Sequence, residues 1–277
     1  MTYFRHKIAI VTGGASGIGR AVAEKLASMG AMVVVADIND ALADEVAEGI
    51  LARGGRAEAS HLDVTDPSAV QDLVEGVAER HGRLDLLFNN AGIAVVGELL
   101  ETPLSDWRKM VEVNIMGVAH GVAAAYPLMK GQGFGHIVNT ASVAGLVTSP
   151  HFAAYSATKH AVVGLTRALR AEASAHGVHA SAVCPGLVKT PLMKHSTILH
   201  EARMSMSREE LISGLPLRPV TAAACADAIL RGVEKKREII VVSTHAKVMF
   251  FFQRLNPATI QWASRAMIRR MRAVVNL

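Results

Sequence analysis

Residues 153 to 161 read AAYSATKHA and set Tyr155 four positions before Lys159 among small side chains. Residues four apart on a helix share a face, with Cβ atoms roughly 5–6 Å apart, so the phenol and the ammonium would project into one space. A phenol ordinarily titrates at about pH 10, which makes its anion rare by roughly a thousandfold near neutrality, a deficit of about 4 kcal/mol. A unit charge at about 4 Å in an effective dielectric of about 20 offsets about 4 kcal/mol, and less from farther away. The pair can be a phenol made ready to exchange its proton, or a surface coincidence at helical spacing. Its surroundings decide.

A second stretch with chemical meaning is VTGGASGIGR, residues 11 to 20, between an apolar run and a helical pattern. Gly13, Gly14, Gly17 and Gly19 give it the form T-G-x-x-x-G-x-G. Glycines let a backbone approach a pyrophosphate closely, and a helix N-terminus offers it unpaired N–H groups. A plain strand-to-helix turn would use the same residues. Asp37 closes the next apolar run, eighteen residues after Gly19, where an acid accepts the two hydroxyls of an adenosine ribose. That charge repels a 2′-phosphate, and neither Ser16 nor Ile38 supplies a compensating cation. NAD is therefore expected rather than NADP.

The elements that must position these residues are short and regular. KIAIVT, MVVVAD, LDLLFNN, HIVNTAS, HASAVCP and EIIVV are apolar almost throughout and read as buried strands, with AEASHLDV a weaker seventh. Between them lie helical patterns over 17–29, 40–52, 67–80, 103–129, 152–175 and 222–234. Gly30 and Gly177 suit helix ends, and Asp66-Pro67 and Asn256-Pro257 suit helix starts. Such alternation predicts an α/β fold, a doubly wound parallel sheet with helices on both faces. No repeat or low-complexity linker interrupts it.

The 277 residues, 51% of them hydrophobic, are compatible with one domain. Cys184 and Cys225 lack metal spacing and suggest a reducing compartment. The apolar run near the N-terminus is too short for a signal peptide, and no run reaches the roughly 18 residues of a spanning helix. A cytoplasmic location is expected, with no metal. Residues 245–277 carry six Lys/Arg and no acid, so the rest holds 29 − 6 = 23 basic against 24 acidic residues. The basic character belongs to the tail, and a nucleic-acid surface is not indicated.

Taken together these stretches resemble the short-chain dehydrogenase/reductase family over residues 7 to about 243. The likeness rests on Thr12–Gly19, Asp63-Val64, NNAG at Asn89–Gly92, Asn114, Ser142, Tyr155, Lys159 and PGLVKTP at Pro185–Pro191. It implies a seven-stranded parallel sheet (a Rossmann fold), assembly as a homodimer or homotetramer, and a catalytic set of Asn114, Ser142, Tyr155 and Lys159. The chemistry implied is hydride transfer between NAD and an alcohol or ketone. Tyr155 is then general acid/base, Lys159 holds the nicotinamide ribose, Ser142 bonds the substrate oxygen and Asn114 holds a proton-relaying water. The implied cofactor contacts are Gly13, Ser16, Gly17, Ile18 and Gly19 for the pyrophosphate, and Asp37 and Ile38 for the ribose. Asp63 and Val64 follow for the adenine, then Asn90, Ala91 and Gly92, Val113 and Thr140. Pro185, Gly186, Val188 and Thr190 would line the nicotinamide.

His151, one turn before Tyr155, and Leu187 are candidates for contact with substrate. Residues 190–215 occupy the place of the family's substrate lid. Met193, Ile198, Leu199, Met204 and Met206 there suit a bulky hydrophobic substrate or merely pack the lid down. The catalytic unit is expected over 1–244, and 245–277 as an extension. On a helical wheel Ile260, Ala263, Met267, Met271 and Val274 share one face and Arg265, Arg269 and Arg272 the other, with Trp262 off the apolar stripe. Such a helix can lie on an anionic membrane, pack on a neighbouring subunit or roof the pocket. Two competitors stand beside a soluble dehydrogenase: a catalytically silent dinucleotide-binding regulator, and a membrane-associated lipid or steroid dehydrogenase.

Overall fold

Seven short runs pair in parallel, most of them apolar and buried, and one, Arg56–His61, more polar and partly exposed. In the computed structural model, which describes residues 3–192, 197–198 and 219–275, they are β1 (Ile8–Thr12), β2 (Met32–Asp37), β3 (Arg56–His61), β4 (Leu86–Asn89), β5 (Gly135–Thr140), β6 (Val178–Pro185) and β7 (Ile239–Val242). Their order across the sheet is β7-β6-β5-β4-β1-β2-β3, every pairing parallel. Alternate residues of one strand feed opposite layers. Ala9 and Val11 join the core under α1 (Gly17–Ser28), α2 (Asp40–Ala52) and α7 (Ala222–Glu234). Ile8 and Ile10 join the core under α3 (Pro67–His81), α5 (Gly117–Gln132) and α6 (Ala153–Ala173). The strand order reverses between β1 and β4, and the carboxyl ends of strands at such a point open a crevice for a ligand.

Local signals work as expected at several ends. Asp66 accepts from Ser68 N at 2.8 Å and Ala69 N at 3.1 Å, with Pro67 opening α3. Gly30 and Gly177 take positive φ of 88° and 71°. Three features differ from expectation. β3 stops at His61, because Asp63 turns the chain by accepting from the N–H and hydroxyl of Thr65 at 2.9 and 2.8 Å. The helical pattern over 103–129 is α4 (Leu104–Val111), a π-helical turn at Glu112–Met116, and α5 running on to Gln132. Finally, 186–221 carries short pairings: Val188–Lys189 with Val220–Thr221, and Thr197–Ile198 with Val95–Val96. The proposed lid residues Met193, Leu199, Met204 and Met206 lie outside the described residues.

The tail forms α8 (Thr244–Leu255) and α9 (Pro257–Val275), with Asn256 Oδ1 accepting from Ala258 N at 3.1 Å. Among the described residues no helix is long and apolar enough to cross a membrane.

Candidate active site

At the carboxyl ends of β1 and β4 the chain leaves a glycine-built shelf. Gly13 and Gly17 hold φ of +61° and +55°, and a Cβ on Gly13 would lie 2.9 Å from Ala91 Cα. A Cβ on Gly19 would overlap Gly13 O. Ser16 precedes α1 in extended conformation and makes no side-chain cap bond, and the first turn holds no acid. Among the described residues the opening N–H groups of α1 thus have no side-chain cap, which fits a phosphate. Ile18 packs into the core instead. Thr190 reaches over this loop, its Cβ 3.3 Å from where a Cβ of Gly17 would be.

Asn90 ties the shelf together. Its Nδ2 donates to Thr12 O at 3.1 Å and Gly13 O at 3.3 Å, and its Oδ1 accepts from Thr140 Oγ1 at 3.4 Å. Ala91 N donates to Thr12 Oγ1 at 3.1 Å. Asp37, at the end of β2, accepts from Ala15 N and Asn39 N, both at 3.0 Å, which fixes the carboxylate beside the loop. Ile38 beside it is 63% exposed. The carboxyl of Asp63 is held below its usual range by the two Thr65 bonds. Val64 is buried and gives its carbonyl to His120 Nδ1 at 3.0 Å, while half-buried Val113 packs on the core beneath.

Next along the crevice, α6 presents Tyr155 and Lys159 on one face, as the spacing predicts. Lys159 is buried, and its hydrogen bond among the described residues goes to Thr140 O at 2.9 Å. Its Nζ lies 5.6 Å from the Tyr155 ring centroid. Ser142, at the end of β5, accepts from Ala144 N at 3.1 Å and hydrogen-bonds the Tyr155 hydroxyl. Gly92 passes so close that a Cβ would meet Asn114 Oδ1 at 3.0 Å and Lys159 Nζ at 3.4 Å. Asn114 sits fully buried in the π-helical turn. Its Oδ1 accepts from Ile93 N at 2.9 Å, and its Nδ2 donates to Ile93 O at 3.0 Å and Thr158 Oγ1 at 3.1 Å. Thr158 in turn donates to Tyr155 O at 2.8 Å.

Protein groups alone do not acidify Tyr155: burial pushes its pKa up to about 12, against the lowering hydrogen bond from Ser142. Burial likewise brings Lys159 down to about 8, leaving it mostly charged at neutrality. A phenolate at pH 7 then lies about 7 kcal/mol uphill. Among the described residues the site sets a neutral phenol beside a buried cation that has one acceptor, Thr140 O.

The remaining predicted residues border this centre. Pro185 ends β6, Gly186 N donates to Val242 O at 3.2 Å, and Val188 is buried. Leu187 is tied by its backbone on both sides, its N–H to His245 Nε2 at 3.2 Å and its carbonyl to Val220 N at 3.0 Å. His151 holds φ of 62° and its carbonyl accepts from Gly97 N at 2.9 Å.

Three neighbours escape a reading of the sequence. Phe152 stacks edge-on to Tyr155 with centroids 6.0 Å apart. The Cys184 thiol lies buried within electrostatic reach of Tyr155 and Lys159 and is pushed up to about 12 by burial. His245 reaches in from the start of α8. Cys184 carries a faint signal, directly preceding Pro185 at a strand's carboxyl end; the other two carry none.

Comparison with known proteins agrees with this arrangement. The family model for short chain dehydrogenase matches residues 7–198. The meso-2,3-butanediol dehydrogenase of Serratia marcescens is 45% identical over 188 residues, 68% of this chain and 73% of that one. The probable oxidoreductase EphD of Mycobacterium tuberculosis is 34% identical over 268 residues, 95% of this chain, which spans about half of that relative's length (45%). A solved short-chain dehydrogenase/reductase of Burkholderia phymatum in complex with NAD superposes with a TM-score of 0.82 at 33% identity, over 92% of this chain and 95% of that one. With the glycine shelf, the Tyr155–Lys159 face and the seven-stranded sheet in this order, the chain belongs to the short-chain dehydrogenase/reductase family of oxidoreductases.

Proposed function

We propose that the chain is an NAD-dependent dehydrogenase that oxidises a secondary alcohol, or reduces the matching ketone, with an apolar body. The observation that carries this reading is the buried ammonium of Lys159, with one hydrogen bond among the described residues, set beside a neutral phenol and against Gly92. Ribose hydroxyls would supply the acceptors it needs.

Bound NAD would supply the hydride acceptor and a second positive charge. The N–H groups of Gly17, Ile18 and Gly19 would hold the pyrophosphate, with Ser16 and Gly13 at its edge, and Asp37 the adenosine ribose. Asp63 and Val64 would border the adenine. Asn90, Ala91 and Gly92, with Val113 and Thr140, would flank the sugars, and Pro185, Gly186, Val188 and Thr190 the nicotinamide. Tyr155 takes the alcohol proton during oxidation and returns it in reduction. Ser142 bonds the substrate oxygen and orients the phenol. With its amide committed to Ile93 and Thr158, Asn114 would hold a relaying water by its main-chain carbonyl. Substrate would lie against half-buried Ile93 and Trp107, which pack in the same cluster as Tyr155, with His151 and Leu187 at the rim. NAD rather than NADP follows from Asp37: His61, paired in register beside it, is taken by Asp40 at 2.7 Å. We further read residues 1–244 as the catalytic unit with a lid over 190–215, working as a homodimer or homotetramer in the cytoplasm.

The test is NADH formation from a panel of secondary alcohols, from 2,3-butanediol to longer apolar ones, with NADP in parallel. The proposal expects turnover with NAD that improves with apolar length. Tight NAD binding without turnover in either direction would make the chain a silent dinucleotide-binding regulator instead.

A further inference from the structure

The tail departs from ordinary amphipathic design. On α8 the outward residues are Val248, Phe251, Phe252 and Leu255, at 49%, 61%, 40% and 69% exposure. Their spacing of three, four and seven makes one continuous apolar stripe. The inward positions include Gln253, whose Oε1 is buried without a hydrogen-bond partner among the described residues. With Ala246, Met249 and Phe250 turned inward, the helix still leaves four large apolar residues outside, as a surface awaiting a partner does. Trp262 on α9 adds a further exposed ring at 69%. The two helices also carry exposed Lys247, Arg254, Arg265 and Arg269, and residues 245–277 contain no acid. The expected apolar face of α9 is less uniform, with Ile260 buried but Ala263 exposed.

We propose that α8 and α9 dock on an anionic lipid surface, the stripe entering the acyl boundary and the cations meeting phosphate headgroups. Aromatic rings suit that boundary, being apolar in body. A second copy pairing through the same face would set these cations against their own copies with no acid between them. The same helix begins beside the loop 185–190, so docking brings the apolar wall near Tyr155 close to a source of apolar substrate. The test is co-sedimentation with vesicles of phosphatidylcholine alone and of phosphatidylcholine with phosphatidylglycerol, at low and high salt. Binding should require the anionic lipid, weaken with salt, and fall at least about tenfold in the double variant Phe251→Ser, Phe252→Ser. No binding, or binding unaffected by that variant, would overturn the proposal. A lower assembly mass for the variant in sedimentation would also overturn it, since a second copy would then cover the face.

A separate observation concerns His245. Its Nε2 accepts from Leu187 N at 3.2 Å and lies 3.2 Å from Ser243 Oγ. A Cβ on Gly186 would fall onto the imidazole, and Ser243 is held at φ of 81°. The ring thus wedges the start of the loop that, on the function proposed above, borders the nicotinamide. We infer that His245 is a positioning residue, holding residues 186–187 for cofactor binding while its Nε2 carries no proton. Burial lowers its pKa, and no charged neighbour contributes. The test is the NAD dissociation constant by calorimetry from about pH 5 to pH 8. Affinity should fall about threefold to tenfold as His245 gains its proton. His245→Gln, which keeps an acceptor and cannot titrate, should flatten the profile, and His245→Leu should bind weakly throughout. Coinciding parent and Gln profiles, or parent-like binding by the Leu variant, would overturn the inference. An inability of the parent to bind NAD would instead refute the proposed cofactor.

Discussion

A buried lysine is costly to fold. Lys159 titrates near 8 in the folded chain against 10.5 as its ordinary value, so between those pH values the unfolded chain holds more protons. Stability therefore rises with pH across that window, by roughly 3 kcal/mol at most, and at pH 7 the charge is a full burden. Lys159→Met should raise the unfolding temperature at pH 7, lose its advantage as pH climbs from 8 to 10.5, and abolish turnover. A second prediction concerns Asp37: Asp37→Ala with Ile38→Arg should shift preference toward NADP, read as the ratio of kcat/KM for the two cofactors. An unchanged ratio would remove the ribose role. Spacing alone made the Tyr155–Lys159 face legible, because four residues on a helix fix direction. The state of the phenol was not legible. Its acidity depends on burial under Phe152 and beside Cys184, which only tertiary packing creates.

Elements long enough to show a period were readable, and the seven strands and most helices fall near their expected places. The π-helical turn at Glu112–Met116 was not, since widening a helix locally leaves the apolar pattern helical on both sides. Two-residue pairings such as Val95–Val96 with Thr197–Ile198 are too short to carry a period. Tight contact between elements is also invisible in sequence. Gly121 of α5 is an example: a Cβ there would fall onto the Asn89 amide, whose Nδ2 donates to Asn139 Oδ1 at 2.9 Å. Gly121→Ala should push α5 from the sheet and cost about 1–3 kcal/mol in urea unfolding. A neutral effect would mean that the helix shifts freely, and with it Asn114.

For the whole molecule, acid is the expected weakness. His136 is buried in β5, its Nε2 2.8 Å from Ser181 Oγ, and burial brings its pKa down to about 3 from 6.5. In that interval the unfolded chain takes up a proton that the folded chain refuses, so stability is lost as pH falls, by about 5 kcal/mol across the full window. Unfolding midpoints measured from pH 6.5 downward should drop more steeply for the parent than for His136→Gln; parallel slopes would assign acid lability elsewhere. The tail is where sequence said least. Its basic charge was plain, but the outward turn of Val248, Phe251, Phe252 and Leu255 appears only once α8 is placed.

On the proposed function, the hydroxyl of Tyr155 is the group that exchanges a proton with the substrate. Single-turnover reduction of NAD by a competent alcohol, in the parent and in Tyr155→Phe, tests it most directly, with NAD affinity measured on the same samples. The prediction is an NAD dissociation constant close to the parent's and hydride transfer slowed by several orders of magnitude. Transfer at a rate near the parent's, from a variant that binds NAD equally well, would contradict it.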